Sequence, residues 1–208
     1  MHYAGFWKRL GAHILDYFIL IPFSAFILWV SSHSKALQLA MLIPHTALYA
    51  AYIIVMNAKY GGSLGKLIVG IRVRKTDGET IHWKEAILRH SIDALLGMSL
   101  AMIQVYTLFH ITTPSYEELT WFKKTVYLNR MAPSLYGWIN GAYQVWIWGE
   151  FLTMLLNNRK RALHDFIAGT VVIDIKNTKK VQYSSPDQKL DTILASLKQK
   201  DMESTPQR

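Results

Sequence analysis

The sequence predicts an all-α membrane protein: a bundle of about four transmembrane helices, a small cytosolic two-stranded element and amphipathic interfacial helices. Three observations carry this. Of the 208 residues 51% are hydrophobic, and they gather into long runs. The basic residues crowd into every second connection between those runs. Two short β-prone stretches and several amphipathic ones fill the connections.

Four runs reach the length of a bilayer crossing, at 12–30, 36–56, 91–110 and 134–156. At ~1.5 Å rise per residue, each can traverse a ~30 Å hydrocarbon core. Runs of this length with so few charges argue against helices buried in a soluble bundle. The first run lacks a clear small-residue cleavage site, carries Asp16 within it and is followed by another run, so it reads as a retained anchor. After the second run Tyr60, Gly61 and Gly62 break the helix, and Ser63 stands where it can cap the short amphipathic turn SLGKLIVG. The GKL in that turn is no phosphate loop: Leu67 stands where Ser or Thr is required, and Tyr60 where the first Gly is required.

Ile71, Val73 and Thr76, followed by Asp77-Gly78, read as a strand and a turn, and WKEAILRH leads into the third run. The outer connection contains YEELTWFKKTVYL, suited to lying on the membrane face with its aromatics at headgroup depth. After the fourth run, RKRALHDFIAG reads as a short helix stopped by Gly169. TVVIDI at 170–175 is a second β-prone run, placed to pair with 71–74. Residues 1–175 thus form one transmembrane unit. Residues 176–208 form a polar cytosolic tail with an amphipathic helix expected at 187–199.

The net charge of +9 follows from topology. With the N-terminus inside, the outer connections hold only Lys35, Lys123, Lys124 and Arg130, and the other 19 of the 23 Lys and Arg fall on the cytosolic side. The positive-inside rule then sets both termini in the cytosol. Anionic lipid headgroups are the partner this charge implies, and nucleic acid is not needed to explain it. Cysteine is absent, which excludes disulfides and thiolate metal sites. No nucleophile–base pair, metal spacing or nucleotide loop is evident, so the sequence argues against an enzyme and for no cofactor.

The acids inside the runs are the informative residues. Arg9 and Asp16 are seven residues apart, on nearly one helix face and ~10 Å apart along the axis, so each needs a partner on another helix. A lone carboxylate at mid-bilayer costs about 2.5–3.5 kcal/mol on insertion scales, which turns Asp16 toward the bundle. Asp93, Glu150 and Asp165 lie at a similar inner depth, beside Lys66, Arg89, Arg159, Lys160 and Arg161. One charged layer at the cytosolic third of the bilayer follows. The outer half carries Gln38, Gln104, Asn140 and Gln144, with His45 near mid-depth. On a structural reading the layer fixes how the helices pair. On a functional reading Asp16 and its neighbours bind a cation or proton, with His45, Gln144 and Asn140 marking the way outward.

Three blocks carry a resemblance: YAGFWKRLGAHILDYFIL, GGSLGKLIVGIRVRKTDGETIHWKEAILRH and NRKRALHDFIAGTVVI. In this order, across residues 3–174, they resemble the RDD family of polytopic membrane proteins. That family is named for an Arg at the start of the first span, an Asp within it and a second Asp further on. The matching positions here are Arg9, Asp16 and Asp165. The resemblance implies a membrane protein, expected in a bacterial cytoplasmic membrane, for which transport of unidentified ligands is proposed. The outer connection and the tail after Ile175 fall outside the family pattern.

Two functions fit. One is a small ion or solute transporter, cation- or proton-coupled, in which Asp16 binds the ion, Arg9 sets its pKa and Asp165 gates or pairs on the cytosolic side. Four helices leave little room for a pathway, so this version predicts a homo-oligomer. The other is a non-transporting scaffold or accessory protein that binds a membrane-protein partner or anionic lipid through its basic cytosolic face.

Overall fold

The computed structural model describes residues 2–177. The helix expected at 187–199 lies outside the described residues. The elements are helices α1 (Phe6–Ser32), α2 (Lys35–Tyr60) and α3 (Leu64–Val69), strand β1 (Ile71–Lys75), helices α4 (Trp83–His110), α5 (Trp121–Met131), α6 (Ser134–Leu156) and α7 (Leu163–Ile167), and strand β2 (Thr170–Asp174). A single 3-10 turn, Pro114–Tyr116, precedes α5.

All four expected runs are helical, and three are longer than their apolar stretches. α4 begins at Trp83 because Glu85 reaches back to accept the backbone N–H of His82 at 2.8 Å, which caps a first turn too polar to count as membrane. α2 starts after Ser34, whose hydroxyl accepts from the Leu37 N–H at 3.1 Å. It ends at Gly61, whose φ of 71° lets the chain turn away without a Cβ clash.

Three stretches, Phe6–Ser32, Lys35–Val69 and Trp83–His110, are long and apolar enough to cross a membrane. Within the most apolar part of each, only 6%, 0% and 17% of residues are buried by the rest of the chain, so their apolar side chains face outward. Phe18, Phe26, Trp29, Leu95 and Phe109 are all exposed, which is the arrangement a lipid solvent favours. α6 has the length, 23 residues, and is rich in Trp and Tyr, which prefer the headgroup interface.

α2 packs against α4, α1 against α2 and α3, and α6 against α4. At the end of the bundle away from the strands Lys124 is buried. Its ammonium donates to the Ser32 carbonyl at 2.9 Å, which fastens α5 over the end of α1. Tyr116 donates to Gln38 at 2.8 Å and tethers the 3-10 turn to α2.

The strands pair antiparallel, with Ile71 opposite Asp174 and Lys75 opposite Thr170. Two strands alone are marginal. The chain start supports them: the Ala4 N–H donates to the Val172 carbonyl at 2.9 Å, and the Asp174 N–H to the His2 carbonyl at 2.8 Å. Ala4, Ala12, Ile71, Val73, Ile81 and Val172 form a small buried core between this sheet and the start of α1.

α3 approaches α1 closely because Gly65 has no side chain. A Cβ there would lie 2.1 Å from the Ala12 carbonyl oxygen and 2.9 Å from Asp16 Cγ. Gly65→Ala should therefore lower stability by about 1–3 kcal/mol. A thermal scan of the variant in detergent checks this, and an unchanged midpoint contradicts the contact.

Candidate functional site

The charged layer is built around α7. After α6 the chain turns sharply on Asn157, whose Oδ1 accepts from the Arg161 N–H at 2.9 Å and whose Nδ2 donates to the Arg161 carbonyl at 2.6 Å. This turn sets the start of α7. Asp165 falls in its first turn, where Oδ2 accepts from the Ala162 N–H at 3.1 Å.

Asp165 is fully buried and receives donors from three directions. Arg9 Nη1 of α1 donates to Oδ2 at 2.9 Å. Arg89 Nη1 of α4 donates to Oδ1 and also to the Thr170 hydroxyl at 2.7 Å. Thr170 at the head of β2 in turn donates to Oδ1 at 3.1 Å. Arg161 closes the outside of the knot: its guanidinium donates to the Asp165 and Thr170 carbonyls at 2.8 and 3.0 Å and lies 4.2 Å over the Phe166 ring. One carboxylate thus ties α1, α4, α7 and β2 together.

Asp16 is buried but has a different set of partners. Its Oδ2 accepts from the Ser63 hydroxyl and its Oδ1 from the Gly65 N–H at 2.6 Å. A carboxylate on α1 therefore supplies the cap for the first turn of α3, and the Ser63 side chain is turned to Asp16 instead of to its own helix. Arg9 bonds Asp165, and Asp16 is held by neutral donors.

Glu150 of α6 clasps His164 of α7. Its Oε1 accepts from the His164 N–H at 2.9 Å and its Oε2 meets His164 Nδ1. His164 Nε2 stands 2.6 Å from Arg89 Nη2, and a guanidinium can only donate, so Nε2 accepts and the imidazole proton sits on Nδ1 facing Glu150. Asp93 of α4 takes a hydrogen bond on Oδ1 from Trp146 Nε1 of α6 at 3.2 Å, while His90 Nδ1 stands 3.9 Å from Oδ2. Lys66 is buried in the same layer, and among the described residues it has no hydrogen-bond or ion-pair partner.

Two polar positions stand apart from the layer. His45 stacks on Phe23 with ring centroids 6.3 Å apart, and Gln144 is exposed on α6. Among the described residues no group of His, Asp and Glu is arranged to hold a metal ion. His164, Thr170, Ser63 and Gly65 were not singled out from sequence as site residues, yet each contacts a signature acid. All four lie within the blocks that carry the family resemblance, but a place in a block carries no geometry.

Burial alone would push the Asp165 carboxyl up. The positive charges of Arg89 and Arg9, with the Ala162 N–H, outweigh that and hold it below the ordinary carboxylate range. Asp174 is likewise lowered: desolvation is outweighed by the Lys8 ammonium, which pairs with it, and by the Asn177 N–H. Carboxylates lowered on folding stabilise the protein above the unfolded value of 3.8, and that stabilisation is lost as pH falls through and below it.

Asp165→Asn should cost about 3–5 kcal/mol, because it strands two buried guanidinium groups. Thermal scans in detergent measure the loss. The wild-type midpoint should also drop between about pH 5 and pH 3, and Asp165→Asn should flatten that limb. Equal pH slopes for the two proteins contradict the role of this carboxylate.

The RDD family model matches residues 3–169, a span that includes Arg9, Asp16, Asp165 and most of their partners. The chain is similar to the uncharacterized protein YckC of Bacillus subtilis (strain 168), with 27% identity over 169 residues, covering 81% of this chain and 83% of that protein. No solved structure matches the chain. The match covers most of the chain and contains the whole Arg9–Asp16–Asp165 framework, so the protein is a member of the RDD family.

Proposed function

We propose that this RDD-family membrane protein moves a small ion or solute across the membrane, coupled to a proton or another cation, with Asp93 as the exchanging acid. The observation that supports this is a difference among the intramembrane acids. Both oxygens of Asp16 and both of Glu150 are engaged by donors within the chain. Among the described residues, the Asp93 side chain takes one hydrogen bond, from Trp146, and its Oδ2 meets just the His90 ring, at 3.9 Å. A carboxylate at membrane depth with an open oxygen can take up and release a proton or cation, whereas one saturated by fixed donors holds helices in place. Asp16 and Asp165 therefore serve as the frame, and the α4–α6 contact as the working part.

The reading includes four spans with α6 as the fourth, both termini in the cytosol, and an oligomer that supplies the rest of the pathway. The chain has no Cys, so single cysteines report topology cleanly. Cysteine in place of Glu118 should react with an impermeant maleimide in intact cells, and cysteine in place of Asp77 should react only after lysis.

A second reading is favoured by the charge of the inner face. Arg72 and Arg74 alternate along β1, and Arg159 and Lys160 follow α6, which suits a scaffold that binds anionic lipid or a partner. Flux in sealed vesicles under imposed Na⁺, K⁺ or pH gradients separates the two. Transport should fall at least about tenfold in Asp93→Asn with folding kept. Absence of flux under every gradient, with the protein folded, removes the transport reading and leaves the scaffold.

A further inference from the structure

We propose that two copies of this chain pair in the membrane through the exposed face of α6, helix against helix about a two-fold axis, with Gln144 of each copy bonded to the other.

α6 packs on its own chain along one side. Trp146 donates to Asp93 of α4, and Glu150, one turn on, clasps His164 of α7. The other side is bare: Trp138, Gly141, Val145, Trp148, Leu152 and Leu155 are all exposed. On the other long helices such exposure suits lipid, because each contains a stretch apolar enough to cross a membrane. α6 is not among those three. Asn140 and Gln144 interrupt it, and Gln144 lies on the bare side, between Gly141 and Trp148.

The Gln144 amide is exposed, and among the described residues it has no hydrogen bond. An amide turned to hydrocarbon loses its water bonds and gains nothing in return. Acyl chains offer neither donor nor acceptor. A second Gln144 across a two-fold axis offers both, since each amide can give an N–H and accept one on its carbonyl. That self-complementarity makes the occupant another copy of this chain.

The spacing of the bare side fits a helix as neighbour. From Trp138 to Leu155 the six exposed positions fall alternately three and four residues apart, the repeat of a helix–helix seam. At Gly141, one turn before Gln144, an added Cβ would meet nothing within 4 Å. A neighbouring backbone can therefore come close there and bring the two amides within reach. This pairing rests on the reading above, in which α6 is the fourth span and the protein is an oligomer, and it names the surface that joins the copies.

The chain has no Cys, so full-length single-cysteine variants in native membrane vesicles report which faces meet. Under a copper–phenanthroline oxidant, Val145→Cys and Trp148→Cys should form disulfide-linked dimers. Ile147→Cys, on the flank of α6, and Met102→Cys, exposed on α4, should not. Energy transfer between fluorescently tagged copies, diluted in vesicles, measures association. Gln144→Leu should weaken it about three- to tenfold, Gly141→Ile should weaken it as well, and Gln144→Asn should retain it. The thermal midpoint in detergent identifies any variant that fails to fold, and the cysteine pattern keeps Gln144 and Gly141 intact. Energy transfer with no disulfide at 145 or 148 overturns this interface and leaves an oligomer joined elsewhere. No energy transfer overturns the oligomer along with it. Equal cross-linking at 102, 145 and 147 signals random collision and overturns it, as does undiminished association in folded Gln144→Leu. A cross-linked product of another mass assigns the face to a foreign protein and overturns self-pairing. Reaction of Val145→Cys with an impermeant maleimide in intact vesicles places α6 in water and overturns the four-span reading itself.

Discussion

The buried carboxylate of Asp165 is the point on which the rest of the molecule hangs. It accepts from Arg9, Arg89, Thr170 and the Ala162 N–H, and so joins the first helix, the fourth, the short seventh and the second strand at one place. In lipid there is little hydrophobic force pressing one helix on another, since acyl chains are as apolar as leucine. A chain whose apolar faces point outward needs another source of association. Here it is a group of charges from α1, α4 and α7 that satisfy one another.

The same logic divides labour among the acids. Asp16 caps α3 from outside that helix, Glu150 orients His164, and Asp165 gathers the guanidinium groups. Each uses both its oxygens on fixed donors, and each joins elements far apart in sequence. Asp93 does not follow this pattern: among the described residues just one of its oxygens takes a hydrogen bond, from Trp146.

Much of the framework was legible in the residues. Helix positions followed from apolar runs, and the α6 run matches its helix end to end. The strand pair followed from two β-prone stretches, and α7 from the charged turn closed by Gly169, whose φ is 64°. Asp16 was expected to turn inward, and it is buried. Which acid meets which base was not legible. Arg9 and Asp16 lie on one helix face and invited a shared site, but the register between helices gives Arg9 to Asp165 and Asp16 to Ser63 and Gly65. The early start of α4 was missed for a similar reason, since a polar first turn held by Glu85 leaves no trace in hydropathy. Pairing across elements depends on rotation and approach distance, and these emerge only from packing.

Arg9 and Asp165 are separated by 156 positions along the chain. A ribosome delivers the first long before the second exists. The amino-terminal helix must therefore enter the bilayer with its guanidinium unanswered, and it stays so through the synthesis of every later crossing. The contact can form only once the short α7 helix has been made. A chain cut before that helix lacks the carboxylate with which both Arg9 and Arg89 pair.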